Sequence, residues 1–251
     1  LMIPFVHLHV HSYYSLLDGQ ASISRLVDKA MADGMRGMAL TDHGNMMSIK
    51  DFFNYVSKKK GGAAKDKKAA EAKLAALRDG SYQNAPDEKE VNPDAGKTNE
   101  ELIAECEKKI EKAQRILDFK PIFGCEMYCA RRTKADKKTK EDRSGWHLVV
   151  LAKNETGYHN LVKLVSRSWI DGFYMKPRTD KADLEQFKEG LIISSACLGG
   201  EIPRKILTGD LQGAEEAVMW FKKTFGDDYY LELQRHEVKD PAQRANRETY
   251  P

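Results

Sequence analysis

Near the start of the chain, "HLHVHS" (7–12) alternates three histidines with Leu8 and Val10. If the stretch is extended, alternate side chains share a face, so His7, His9 and His11 point the same way. Neutral imidazole is a good donor for zinc, manganese or iron, and an HxH pair can share one ion. Further ligand-type residues fall at the ends of expected strands. Asp18 follows the first strand, Asp42 and His43 end the second, Glu126 lies in the third, His147 in the fourth, and Cys197 closes the fifth. In parallel α/β folds the loops at the carboxyl ends of the strands meet at one rim, where functional sites form. Imidazoles and carboxylates delivered to one rim from separate strands predict a metal cluster, and a carboxylate such as Glu126 can bridge two ions. Two or three ions about 3.5–4 Å apart suit phosphoester hydrolysis.

Each residue alone says much less. A single strand histidine is more often a satisfied polar group than a ligand, and a single cysteine is more often a small buried hydrophobe. The weight rests on the combination of HxH, a DG after it, TDHG and GxE in order. His159 sits in a helical pattern and reads as surface. His236 ends the last expected strand, near enough to approach the rim. His7 lies deeper in its strand and is expected to support a ligand by hydrogen bonding.

The elements that must position these residues follow from periodicity. Short apolar runs alternate with amphipathic helical patterns, which predicts βα units around a largely parallel sheet. Strands are expected at 5–9, 120–130, 146–152, 190–200 and 229–236, and 37–45 is expected to be a strand running into a loop. Helices are expected from Ser22 as N-cap to a stop at Gly34, around Ile49–Val56, and near 156–170, 201–207 and 211–225. Residues 58–118 break this rhythm. An Ala/Lys-rich run, a Pro/Asn/Gly-containing stretch at 80–98 and a stripe of Leu102, Ile103, Cys106, Ile110, Ala113 and Leu117 predict an inserted helical hairpin with a mobile tip.

At 251 residues, 41% hydrophobic and 31% charged, the chain fits one large α/β domain or two small ones. No apolar run approaches the roughly 18 residues a bilayer requires, so no membrane partner is expected. The opening residues lack the pattern of a secretory leader. A net charge of +3 neither demands nor excludes nucleic acid. Cys106, Cys125, Cys129 and Cys197 form no CxxC or disulfide framework, which predicts reduced thiols and a cytoplasmic setting.

The segments "HLHVHSYYSLLDG", "TDHGN", "GCEMY", "GYHNLVKLVSRSWIDGFYMKPRTD" and "SSACLGGEIP" resemble the PHP (polymerase and histidinol phosphatase) domain family, in the branch found at the N-terminus of bacterial DNA polymerase III alpha subunits. The resemblance covers nearly the whole chain apart from 58–118. It implies a distorted seven-stranded β/α barrel with up to three divalent ions at its rim. His9, His11 and Glu126 would surround one ion. Glu126 would bridge to a second held by His147 and Cys197, and Asp18 and His43 would hold a third. A metal-dependent 3′–5′ exonuclease is the implied activity, with Lys176, Arg178 and Arg204 positioning the DNA backbone. DNA, the remainder of a polymerase chain and other replisome subunits are the implied partners. A free-standing small-molecule phosphatase and a non-catalytic docking scaffold are the rival readings. The family pattern also ends in an Asp-x-His that has no counterpart after "YYLELQRH", so residues 1–251 are expected to form a PHP domain lacking its last strand.

Overall fold

The computed structural model describes residues 5–82, 94 and 96–234. Helix α1 (Ile23–Ala32) starts where the caps place it. The Ser22 hydroxyl accepts from the Arg25 N–H, and Gly34, at φ 75°, turns the chain out of the helix. The expected first strand does not form as a regular strand. Ala39 N–H donates to His7 O and Thr41 N–H to Val10 O, so three residues of this segment span two of its neighbour. The Val10 N–H is taken by the Thr41 hydroxyl instead of the ladder. The result is a bulged, extended segment that lies beside strand β1 (Gly37–Leu40).

Strand β2 (Lys120–Ala130) is the longest and lies as expected. It pairs in parallel with β1, Leu40 opposite Phe123, and an isolated bridge continues the register to His43 opposite Glu126. Strand β3 (Gly145–Ala152) runs antiparallel to β2, with His147 opposite Tyr128. Short β4 (Arg178–Thr179) also pairs with β2, while β5 (Leu191–Ser194) is antiparallel to β3 and parallel to β6 (Tyr229–Tyr230). The sheet of six strands is therefore mixed, not largely parallel. The reason lies in the connection. Residues 131–144 join β2 to β3 without the crossover helix that a parallel return requires. The strands expected over 190–200 and 229–236 shorten to β5 and β6.

Helices α4 (Glu155–Ile170), α5 (Lys181–Gln186), α6 (Glu201–Leu207) and α7 (Leu211–Phe225) complete the elements after β3. Cys125, Met127 and Cys129 of β2, with Leu148 and Val150 of β3, pack against Leu161, Leu164, Ala214 and Phe221 to form the main core. Alternation then sends Gly124, Glu126 and Tyr128 to the opposite face, where the site lies.

Helix α2 (Ile49–Asp79) runs unbroken for 31 residues, straight through Gly61–Gly62, so no boundary appears at 58. It packs on α3 (Asn99–Asp118), whose start carries a capping box between Thr98 and Glu101. Leu74, Leu77, Leu102 and Cys106 form the seam between them. Most of the expected tip lies outside the described residues, as does His236.

Candidate metal centre

Glu126 is the hub. Its side chain is fully buried, and four imidazoles reach its two oxygens. Oε1 lies 3.2 Å from His9 Nε2 and 3.0 Å from His147 Nδ1. Oε2 lies 3.3 Å from His11 Nε2 and 2.6 Å from His43 Nδ1. Two groups of donors thus share the one carboxylate: His9, His11 and Glu126, and His43, Glu126 and His147, each with all ligand atoms within 4.8 Å. Asp18 and Cys197 sit at the margins. The exposed Asp18 carboxylate meets His43 Nε2 at 2.5 Å. Cys197 Sγ lies 3.6 Å from Glu126 Oε1 and 3.5 Å from His147 Nδ1.

Local backbone explains this convergence. The bulge before Thr41 lets His9 and His11 both reach Glu126, while His7 stays exposed with its ring edge-on to Phe5 at 4.8 Å. Because β3 is antiparallel, His147 arrives from the amino end of its strand, so the donors do not all come from carboxyl ends. Among the described residues, three that are not glycine adopt positive φ: Leu17, Met175 and Ala196. Each directly precedes a residue predicted for the site (Asp18, Lys176 and Cys197), which is where backbone strain tends to concentrate. Gly199 lies under the His147 ring, and a Cβ there would come within 2.9 Å of it.

The supporting shell was only partly foreseen. The expected role of His7 falls to other groups. His9 Nδ1 hydrogen-bonds Glu232 Oε1 at 2.8 Å, which turns Nε2 toward Glu126. Glu232 is itself held by the Ser194 hydroxyl and, through its N–H, by Ser195 Oγ. The Ser15 hydroxyl meets His11 Nδ1 and accepts from the His43 N–H. Asp42 is no ligand: it is buried, and it accepts from the Ser12 N–H and from the hydroxyls of Ser12, Ser15 and Ser48 at 2.5–2.9 Å. One signal for Glu232 stood in the sequence, a carboxylate in phase with Tyr230 two residues earlier.

Arg178 requires a correction. Its guanidinium is fully buried and donates to the carbonyls of Gly172, Lys134 and Asp136, so it has no face left for DNA. Lys176 is exposed over the Tyr128 ring, 5.4 Å from its centroid, and Tyr128 in turn packs on His43 and His147. Arg204 is exposed on α6.

The electrostatics fit a cation. Burial alone would raise the Glu126 carboxyl, but His147, His43 and His9 outweigh it and hold it far below the usual range. Burial disfavours charge on His9, yet Glu126 and Glu232 push its pKa up to about 10. His147 rises to about 9 against burial through Cys197 and Glu126. His11, buried and beside two other imidazoles, is shifted down. Protons on His9 and His147 balance the carboxylate when nothing else does. His9 Nε2, His43 Nδ1 and Glu126 Oε2 are buried and meet their neighbours in the cluster at 2.6–3.3 Å without hydrogen-bond alignment among the described residues. Buried polar atoms normally find partners, and a mixed imidazole–carboxylate set left in this state matches what a divalent ion requires.

The PHP domain family matches residues 7–236, and the chain belongs to that family. It is 41% identical to the DNA polymerase III subunit alpha of Borreliella burgdorferi over 237 residues, covering 94% of this chain and 16% of that protein. The subunit from Treponema pallidum is 37% identical, over 95% of this chain and 16% of the relative. That of Thermus aquaticus is 32% identical, over 95% and 15%. The chain thus spans about a sixth of the length of these curated relatives. Among the described residues, no helix is long and apolar enough to cross a membrane.

Proposed function

We propose that this chain is the PHP domain of a replicative DNA polymerase alpha subunit, and that its centre hydrolyses phosphodiesters at the 3′ end of DNA. The observation that carries this is the shared carboxylate: one buried Glu126, both oxygens flanked by imidazoles, with three central ligand atoms in close contact but not in hydrogen-bond alignment among the described residues. In this reading the sheet and helices form the family's barrel, and α2–α3 is a hairpin inserted into it. His9, His11 and Glu126 would hold one ion, Glu126, His147 and Cys197 a second, and His43 and Asp18 a third. Bound zinc, manganese or iron would supply Lewis acidity and an activated water. The chain's own groups do the rest. Glu232 and Ser15 fix the ring planes of His9 and His11. The Tyr128 ring, packed on His43 and His147, excludes water from one side. Lys176, exposed above Tyr128, is placed to meet the phosphate. The domain works in the cytoplasm, with the rest of the polymerase chain and other replisome subunits as partners.

The test pairs metal analysis with digestion of 3′-labelled single-stranded DNA. The expected result is stoichiometric zinc, manganese or iron, with both metal and digestion lost in His9→Ala and Glu126→Ala. Absence of bound metal, or digestion unchanged in both variants, overturns the proposal. Hydrolysis of a sugar or amino-alcohol phosphate with none of DNA would point instead to a small-molecule phosphatase.

A further inference from the structure

Residues 131–143, "RRTKADKKTKEDR", carry seven Lys and Arg against three Asp and Glu. Their net charge of +4 exceeds the +3 of the whole chain, so the remainder of the molecule is slightly acidic. The positive charge is concentrated in the one loop that joins β2 to β3, the two strands that carry Glu126 and His147. It begins at Arg131, three residues beyond the Tyr128–His147 pair, or about 10 Å along the strand.

The loop is built, with its backbone polar groups collected by fixed partners. Buried Asp142 accepts from the N–H groups of Lys138 and Thr139 and from the Arg132 guanidinium. Those contacts, Arg132 first, hold its carboxyl well below the usual range. Asp136 accepts from the N–H and hydroxyl of Thr133, and Asp180 from the Lys134 N–H. Arg178 clasps the loop from below through the carbonyls of Lys134 and Asp136. These contacts occupy Arg132, and Lys134 pairs with Asp183 at 2.6 Å. Arg131, Lys137, Lys138, Lys140 and Arg143 remain exposed and form no ion pair among the described residues. Five cations are therefore held on a fixed frame without an ion-pair partner among the described residues.

Aromatic surface adjoins them. Arg131 lies over the Trp146 ring at 4.3 Å. The third carbonyl held by Arg178 belongs to Gly172, which lies between Trp169 and Phe173. Those two rings stack at 5.5 Å and are about half exposed, and the Trp169 indole N–H donates to Gly44 O, next to His43. Cations that follow a backbone, together with exposed ring faces, suit a strand that carries both phosphates and bases. An acidic peptide would use the charges and leave the rings idle.

We propose that the 131–143 loop and the Trp169–Phe173 pair form a docking track for single-stranded nucleic acid beside the metal centre. Choosing DNA as the strand rests on the polymerase-domain reading above. Arg178 becomes the clasp that holds the track in place.

Binding of fluorescein-labelled dT20 to the 251-residue chain, followed by anisotropy in EDTA at several salt concentrations, tests this without engaging the metal site. Lys137→Glu/Lys138→Glu/Lys140→Glu is expected to weaken binding at least tenfold and to flatten the salt dependence by about 2 in slope, for three phosphate contacts on a single strand. Trp169→Ala is expected to weaken binding severalfold with the slope unchanged. Charge reversal of exposed Lys58, Lys65 and Lys68 on α2 is expected to change nothing. Undetectable dT20 binding by the unaltered chain at low salt, or equal loss in the loop and α2 variants, overturns the proposal. So does loss in the loop variant of binding to phosphatidylserine vesicles but not to dT20. Metal analysis reads the centre separately. A chain that binds DNA but no metal would sink the metalloenzyme reading and leave the track standing, and a chain that binds metal but no DNA would do the reverse.

Discussion

The Glu126 cluster and the α2–α3 hairpin handle charge in opposite ways. At the cluster, one fully buried carboxylate is ringed by four half-buried imidazoles, and several of their atoms make no aligned hydrogen bond among the described residues. On the hairpin, Arg78–Glu107 and Arg115–Glu111 lie in solvent, and a thin seam of Leu74, Leu77, Leu102 and Cys106 holds the helices together. Exposed pairs of that kind contribute about 0–1 kcal/mol each. The hairpin is ordinary two-helix stability. The cluster is a polar arrangement tolerated because the surrounding sheet over-determines it, which is what a binding site requires and a scaffold does not.

The contrast can be broken first at its hub. Glu126→Gln strips the countercharge from buried, protonated imidazoles, so metal content should fall to zero and the metal-free fold should lose about 3–5 kcal/mol in urea unfolding. A fully stable Gln variant would show that the cluster is not strained. Titration of chelator-treated protein probes the same feature. The His9 pKa is raised to about 10, so its ion pairs stabilise the fold fully below its ordinary value of 6.5 and are lost as pH climbs through 10. The melting temperature should therefore fall across that window, whereas metal affinity should rise as the imidazoles give up their protons. A melting temperature that rises with pH would contradict the assignment.

On the hairpin, Leu102→Ala should cost about 2–5 kcal/mol of local stability, read by amide exchange in α3, with metal content intact. Metal loss in that variant would erase the distinction between the two regions. Glu232→Gln should weaken metal affinity by about 10–100-fold while leaving urea unfolding almost unchanged, because it orients His9 and ligates nothing. The smallest effect is expected at Gly61 and Gly62. A Cβ at either meets nothing within 4 Å, so Gly→Ala should stabilise α2 by about 1 kcal/mol each.

What could be read from the sequence was local. Ser22, Gly34 and the apolar stripe of α1 specify that helix without help, and the long β2 run is unambiguous. The donor types were legible because HxH, TDHG and GxE sit in short motifs. The pairing direction of β3 was not, since periodicity is the same for parallel and antiparallel strands and only the helix-free connection tells them apart. Arg178 was misjudged because charge in a sequence carries no depth: the carbonyls of Gly172, Lys134 and Asp136 each take one N–H of a guanidinium that the fold buries completely. Continuous α2 was missed because the Ala/Lys-rich run from 58 carries few large apolar residues to mark a helical face, while packing on α3 carries the helix through it. Glu232 was missed because its partner lies at the other end of the chain.

That last contact has a kinetic consequence. His9 and Glu232 are 223 positions apart, so the hydrogen bond between them closes nearly the longest loop the described chain can make. Contacts of such separation form late, after the sheet and helices have already restricted the chain, because closure entropy must be met before they return anything. The His9 ring is thus oriented only once both ends of the domain have docked, and its metal-competent geometry is a read-out of completed folding.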